Sequence, residues 1–302
     1  MDPYVPRMYE FRGRHFDLLR CRDCGNVQVD PLLRGWVLNG IYSLPDYFLH
    51  DYDSGVTASS YLDNRRSILE RYRYAADLFR DRHPEGGRFL EVGCAHGFFL
   101  ERMRELGWKV TGVEIAPAAV RSSRGRGLDV RQGDLFKARF GKESFDAILL
   151  GDVLEHVPDP IRLLREAGRI LRPGGTLIVK CPRFVNSWGF RLIYRAALLA
   201  RPLPIGRIRL LGLMKVPWHR DRPGRPYHLF EYNRHTMRRA LETAGLEVAG
   251  MRTQVIRITF VEQLTRRPFL RALWWSFFTL MRSVCIALDL PFGSVVAVAV
   301  KR

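Results

Sequence analysis

The sequence predicts an α/β protein: one mostly parallel sheet with helices on both faces, preceded by a small accessory lobe. Three observations carry this reading. From residue 88 onward, short apolar runs alternate with stretches of helical periodicity, which is the pattern of successive βαβ units. The first run ends in a glycine-containing turn, Gly93-Cys94-Ala95-His96-Gly97, that opens directly onto a helix beginning Phe98-Phe99-Leu100. Acids then close the following runs at matching intervals, with Glu114 21 residues after Gly93 and Asp134 20 residues after Glu114.

The elements follow in order. Apolar residues at Ile68, Leu69, Tyr72, Ala75, Ala76 and Phe79 predict a helix from Asp63, its N-cap, to about Arg82. Strands are expected at 88–92, 109–113, 129–131, 145–150, 176–180, 246–253 and 295–300, and helices at 97–106, 117–124, 160–171 and 234–244. Asp159-Pro160 is a cap followed by proline at the first helical position, and Leu171-Arg172-Pro173-Gly174-Gly175 is a stop signal. Residues 1–62 are aromatic, proline-containing and weakly periodic, and form the accessory lobe; residues 63–302 form the main domain. Within the latter, 183–233 reads as an insertion that caps a pocket and 266–290 as an amphipathic apolar helix.

Composition narrows the function classes. At 302 residues with 47% hydrophobic content, the chain can bury one large core, so disorder is excluded as the default. Five scattered cysteines are too few for a disulfide framework, and the N-terminus lacks the basic-then-apolar pattern of a secretory signal. A reducing, cytoplasmic setting is expected. In the apolar stretch 269–290, Arg271 and Arg282 leave ten uncharged residues between them, whereas about 20 are needed to span a bilayer. That helix is expected to pack on a core, on a second copy in a homodimer, or at the surface of a membrane as a peripheral contact.

The formal net charge is +18, and half of it falls in one segment: residues 183–225 hold ten Lys or Arg against the single acid Asp221, with Trp188, Tyr194 and Trp218 among them. A cationic, aromatic cap favours an anionic or amphiphilic small molecule or a lipid-linked acceptor. Charge alone would also admit nucleic acid.

The turn itself argues for an adenosine ligand without phosphates. A side-chain-poor turn between strand and helix lets backbone approach a ligand at the carboxyl end of the sheet. An acid about 20 residues further on can accept both hydroxyls of a ribose. A dinucleotide fingerprint would need glycines where this chain has Ala95 and Phe98, so a pyrophosphate is not expected. Glu91, just before the turn, suits a cationic ligand.

The ordered set Glu91-Val92-Gly93-Cys94-Ala95-His96-Gly97, Val113-Glu114, Gly133-Asp134-Leu135, Phe145-Asp146-Ala147-Ile148, Val153-Leu154-Glu155-His156-Val157-Pro158-Asp159-Pro160 and Leu171 to Gly175 resembles the class I S-adenosylmethionine-dependent methyltransferases. The resemblance implies a Rossmann-like sheet of seven strands with the last antiparallel, and S-adenosylmethionine as cofactor. It implies roles as well: Gly93, Ala95 and Gly97 beside the amino-acid moiety, Glu114 on the ribose and Asp134 near the adenine; Glu91, Leu135 and Gly151 join them as cofactor-binding candidates. Ala95 departs from the family's commoner glycine, and His96 is unusual there.

Methyl transfer from a sulfonium is an in-line displacement, so a base is needed only where the nucleophile must lose a proton. His156, after the fourth strand, is one candidate base. His228 is another, because Pro226-Tyr227-His228-Leu229-Phe230-Glu231-Tyr232 resembles a substrate-side motif of methyltransferases acting on sugars, quinones and polyketide-like molecules. Asp152, Glu155 and His156 have metal-competent side chains, and the run resembles ubiquinone-biosynthesis O-methyltransferases, some of them metal-assisted; the expectation here is no metal. Gly151-Asp152-Val153-Leu154 stands where amino-directed nucleic-acid methyltransferases carry an Asn- or Asp-Pro-Pro-Tyr tetrapeptide, which argues against nucleic acid. The other alternative is a non-catalytic methyltransferase-like module that binds a partner through 269–290, against which intact Glu91, Gly93, Gly97, Glu114 and Asp134 argue. Cys21-Arg22-Asp23-Cys24 resembles the second half of a zinc ribbon whose first half is missing, leaving His15 and His50 as the nearby substitutes; a metal-free turn is expected.

Overall fold

The computed structural model describes residues 1–33, 65–183, 228–254 and 293–302, with single positions 185, 186, 190, 191, 194, 195, 276, 280, 283 and 284. The N-cap Asp63, His50, most of the cap insertion and most of the 269–290 helix lie outside the described residues. Contacts divide the chain into two units. The first joins Met1–Leu33, Cys181–Thr236 and Arg252–Val295; the second joins Arg34–Lys180, Met237–Met251 and Val296–Arg302.

The first unit contains a four-stranded sheet in the order β1-β2-β3-β9, made by Asp2–Phe11, Arg14–Arg20, Val27–Asp30 and Phe230–Glu231. Strand pattern is clean in β2, where Phe16 and Leu18 are buried on alternate positions. It is broken in β1, whose pairing with β2 shifts register between Pro3 and Val5 and again between Val5 and Tyr9. Those irregularities and the two prolines of an edge strand erase the period-two signal, which is why β1 does not show in the sequence. Between β2 and β3 the Cys21-to-Cys24 segment closes as a tight loop: Cys21 N–H donates to Asn26 O and Gly25 N–H to Cys21 O. Both thiols are free and half-buried, and backbone N–H groups of Cys24 and Asp23 hold the Cys21 thiol below its ordinary pKa.

Helix α1, Arg65–Arg82, opens the described part of the second unit. Its buried residues Ile68, Tyr72, Ala75, Ala76 and Phe79 form the stripe expected from the sequence. The chain then builds β4 (Arg88–Val92), α2 (Phe98–Glu105), β5 (Lys109–Glu114), α3 (Pro117–Gly125) and β6 (Val130–Gln132). It continues through β7 (Phe145–Gly151), a 3₁₀ turn at Leu154–His156, α4 (Pro160–Ile170) and β8 (Leu171–Arg183). Helix α5 (Arg234–Thr243), β10 (Glu247–Gln254) and β11 (Gly293–Val300) complete it.

The sheet has seven strands in the order β10-β11-β8-β7-β4-β5-β6, and the last strand is antiparallel. Parallel neighbours β4, β5, β6, β7 and β8 are the doubly wound portion. The order reverses at β4, so the exits of β4 and its neighbours form the crevice where such sheets take ligands. Strands buried on both faces read as unbroken apolar runs, as in Ala147, Ile148, Leu149 and Leu150, all fully buried. On one face α1 and α2 pack an aromatic cluster, with Phe89 at ring-centroid distances of 5.4 Å from Phe79, 5.9 Å from Phe99 and 6.2 Å from Trp108. At α4 the expected cap is present: Asp159 Oδ1 accepts the Arg162 N–H at 3.0 Å, with Pro160 in the first turn.

Candidate functional site

The site grows from the exit of β4. Three residues of the turn adopt positive φ in alternation, Gly93 at 72°, Ala95 at 47° and Gly97 at 75°. Glycine is required at Gly93 for space as well as conformation, because an added Cβ would lie 2.6 Å from Val153 Cγ2. The turn is tied to the neighbouring strand: Gly93 and Cys94 N–H groups donate to Val113 O at 2.7 and 3.2 Å. Ala95 holds a left-handed conformation that costs an L residue about 1–2 kcal/mol. What holds it there is Glu114, whose Oε2 accepts the Ala95 N–H at 2.8 Å, with Ser123 Oγ donating to Ala95 O at 3.0 Å.

Glu114 thus has two tasks. Its Oε1 also accepts the Ala116 N–H at 2.8 Å, so the carboxylate braces the β4–α2 turn against the β5–α3 turn. Each oxygen still has a lone pair for a hydroxyl donor. Burial pushes its pKa up against the pull of the Ala116, Ala95 and Ile115 amides. Glu91 is 7% exposed, and among the described residues its Oε2 has no hydrogen-bond partner. Burial first, and then the neighbouring Glu114, raise its carboxyl well above the usual range. The Cys94 thiol is raised by burial and by the same two acids. His96 is buried, stacks on Phe98 with ring centroids 6.4 Å apart, and has its pKa lowered by burial and by Arg126.

The third strand's acid joins through the backbone. Gly133 N–H donates to Glu114 O at 2.8 Å, and Asp134 Oδ1 accepts the Lys137 N–H, which fixes its half-buried side chain beside the fully buried Leu135. Glu91, Gly93, Ala95, Gly97, Glu114, Asp134 and Leu135 therefore belong to one connected set of strand exits. Gly151 ends the neighbouring β7, and the Val153 methyl that packs on Gly93 brings the β7 exit over the turn.

At that exit lies a network the sequence reading missed. Asp152, at φ 56°, receives Lys180 Nζ on both oxygens and the Tyr72 hydroxyl at 2.7 Å on Oδ2. Lys180 is 1% exposed, and its ammonium lies 5.2 Å from the centre of the Tyr72 ring. Burial pushes the Asp152 carboxyl up, but Lys180, Arg71 and the hydrogen bonds from Lys180 and Tyr72 outweigh it and hold the pKa below the ordinary value. The signal was the register itself: Gly151 pairs with Lys180 across β7 and β8, so a lysine ending one apolar run meets an aspartate ending the next. Asp152, weighed above as a metal ligand, is committed to an internal ammonium.

The two candidate bases each have an acid beside them. His156 Nε2 is 3.7 Å from Glu155 Oε1, with Glu155 buried. In the first unit, His228 Nδ1 is 3.2 Å from Glu231 Oε1; the Glu231 side chain is buried, and its backbone carbonyl accepts the Asn186 side-chain N–H at 2.7 Å.

A family model described as a methyltransferase domain matches residues 62–249, more than half of the chain. The chain belongs to the class I S-adenosylmethionine-dependent methyltransferase family. This methyltransferase domain is 34% identical over 128 residues to a ubiquinone biosynthesis O-methyltransferase of Xanthomonas oryzae pv. oryzae (strain PXO99A), a match covering 40% of this chain and 54% of that protein. The chain spans about half the length of the curated relatives it matches. Among solved structures, the putative methyltransferase complexed with the Haloferax volcanii Trm112 methyltransferase activator superposes with a TM-score of 0.51 at 18% identity, covering 79% of this chain and 93% of that one. A SAM-dependent methyltransferase from Archaeoglobus fulgidus gives a TM-score of 0.50 at 17% identity, covering 78% and 94%. At such identities the likeness is one of fold. The family's cofactor, S-adenosylmethionine, suits the residues present: an unspent buried carboxylate oxygen at Glu91 for a cation, and a turn at Gly93 with no room for a Cβ.

Among the described residues no helix is long and apolar enough to cross a membrane.

Proposed function

We propose that the protein transfers the methyl group of S-adenosylmethionine to an oxygen or nitrogen of a small-molecule, sugar or lipid-linked acceptor. The observation that supports it most is the double role of Glu114, which braces the positive-φ turn through Ala95 and Ala116 and keeps acceptor capacity for ribose hydroxyls. Glu91, Gly93, Ala95 and Gly97 would flank the amino-acid part, with Asp134 and Leu135 at the adenine and Gly151 on the acceptor side. When bound, the sulfonium supplies a methyl group already activated for in-line displacement. The protein's part is then alignment and charge.

For an oxygen nucleophile a proton must also leave. His228, oriented by Glu231, and His156, with the buried Glu155 carboxyl beside it, are the residues we assign to that task. The printed names of the curated relatives, ubiquinone biosynthesis O-methyltransferases, support oxygen attack on a small molecule. The cationic segment 183–225 fits an anionic or amphiphilic acceptor, and the 269–290 stretch supports peripheral membrane contact or a homodimer in a cytoplasmic setting. Nucleic acid is the less favoured acceptor.

Radiolabelled S-adenosylmethionine tests the reading. Pure protein is expected to retain the donor and to pass label to a small anionic or amphiphilic hydroxyl-bearing acceptor in preference to RNA. Glu114→Ala is expected to weaken donor binding by about 1–3 kcal/mol through lost hydroxyl and amide hydrogen bonds. Unchanged donor affinity in the folded variant would remove Glu114 from the site.

A further inference from the structure

Four cysteines lie among the described residues, and they divide by burial. Cys94 and Cys181 are buried, whereas Cys21 and Cys24 are half-buried and stand in one loop of the first unit. That loop, between β2 and β3, folds back on itself. Gly25 N–H donates to Cys21 O at 3.0 Å and Cys21 N–H to Asn26 O at 2.8 Å, with Gly25 at φ 70°. A bond from residue i+4 back to residue i closes a single turn of helix, which sets side chains three apart next to each other. Cys21 and Cys24 are three apart. A disulfide asks for Cα atoms no more than about 7 Å apart, a span that such a turn meets.

The donors of the loop converge on one sulfur. Cys21 Sγ accepts from the backbone N–H groups of Cys24 and Asp23 and from the Cys24 thiol, and these bonds favour its thiolate. The two sulfurs therefore touch, with Cys24 as the donor. A structural zinc ion would ask for two further ligands. His15 stands at the opposite end of β2, beside Glu10 at the hairpin turn, about 20 Å of extended strand from Cys21. Among the described residues no third metal-competent side chain gathers with the pair.

We propose that Cys21 and Cys24 are an oxidisable thiol pair that closes reversibly to a disulfide, with a hydroperoxide as its oxidant. In the first step the Cys21 thiolate attacks the terminal peroxide oxygen and an S–O bond forms. The O–O bond breaks, and the leaving oxygen takes a proton from solvent to depart as an alcohol, or as water when the oxidant is hydrogen peroxide. Cys21 is then a sulfenic acid. In the second step the Cys24 sulfur attacks the Cys21 sulfur, the S–O bond breaks, and the hydroxyl leaves as water with the Cys24 proton. Two electrons have passed from the sulfurs to the peroxide. A small dithiol restores both thiols by exchange and takes the disulfide itself. The inference is independent of the methyltransferase reading.

Hydrogen peroxide is the probe, applied to the full chain after reduction and removal of the reductant. Peptide mapping by mass spectrometry is expected to show the fragment holding both cysteines two hydrogens lighter, with dithiothreitol restoring its mass. The buried Cys94 and Cys181 are expected to stay reduced under the same exposure. Cys24→Ser removes the resolving sulfur, so the fragment is expected to gain one oxygen, trapped by dimedone, in place of the loss of two hydrogens. Cys21→Ser is expected to abolish both changes. Should either variant fail to fold, the map of the wild-type protein decides alone. A fragment left unchanged at a peroxide dose that oxidises free cysteine, a sulfinic acid at Cys21 with no disulfide, or a bridge joining two copies of the chain would each overturn the pairing.

Discussion

The exits of β4 and β7 share a backbone device and part company over charge. Each places a non-glycine residue in the left-handed region, Ala95 at φ 47° and Asp152 at φ 56°, and each turns beside buried or half-buried acids. At the β7 exit the acid is answered from inside the protein, by Lys180 and Tyr72, and its pKa falls. At the β4 exit the two acids are answered, among the described residues, by amides, with one oxygen left without a partner, and both pKa values rise. The difference teaches which exit is finished and which is waiting. Internal ion pairs fix a loop's shape, while uncompensated acids leave a demand that a ligand can meet.

The largest effect should come from breaking the finished side. Lys180→Met leaves the Asp152 carboxylate without its ammonium and is expected to cost about 3–5 kcal/mol in urea unfolding, with most of it recovered when Asp152→Asn is added. Failure of the double variant to recover would mean that Lys180 stabilises by packing rather than by pairing. Next is Gly93→Ala, where both the positive φ and the 2.6 Å approach to Val153 oppose a methyl group. Donor affinity measured by calorimetry should fall by about 2 kcal/mol or more, with secondary structure by circular dichroism unchanged.

The comparison also has a pH signature. Glu91 has a folded pKa raised above its unfolded value of about 4.3, so the native state binds the extra proton. Stability therefore falls as pH rises from that unfolded value towards the raised folded one, by up to about 1.4 kcal/mol per pH unit. Urea midpoints of Glu91→Gln should lose this decline and exceed the wild type at neutral pH. The smallest effect should be Ala95→Gly, where relief of the left-handed strain and the greater freedom of glycine in the unfolded chain nearly cancel, leaving a change within about 0.5 kcal/mol.

Much of this was legible before the structure. The seven apolar runs and the acids at Glu114 and Asp134 mark the sheet and its ligand edge because parallel strands buried on both faces leave unbroken signals. Strand β1 left none, since its bulges and prolines scramble an alternation that a half-exposed sheet needs. Glu91 could be read as an acid near a turn, but its unspent oxygen is a property of three-dimensional neighbours. Lys180 looked like the polar end of a strand; only the pairing of Gly151 with Lys180 reveals it as the counter-ion of Asp152.

One topological detail bears on how the chain acquires its shape. Strand β11 lies between β10 and β8 rather than at a sheet margin. During synthesis, β8 and β10 emerge long before residues 293–300 and must wait with their inner edges unpaired. The nascent chain therefore passes through a stage with two open backbone ladders and an exposed apolar flank, a target for chaperones. Completion is a late insertion that closes both gaps at once.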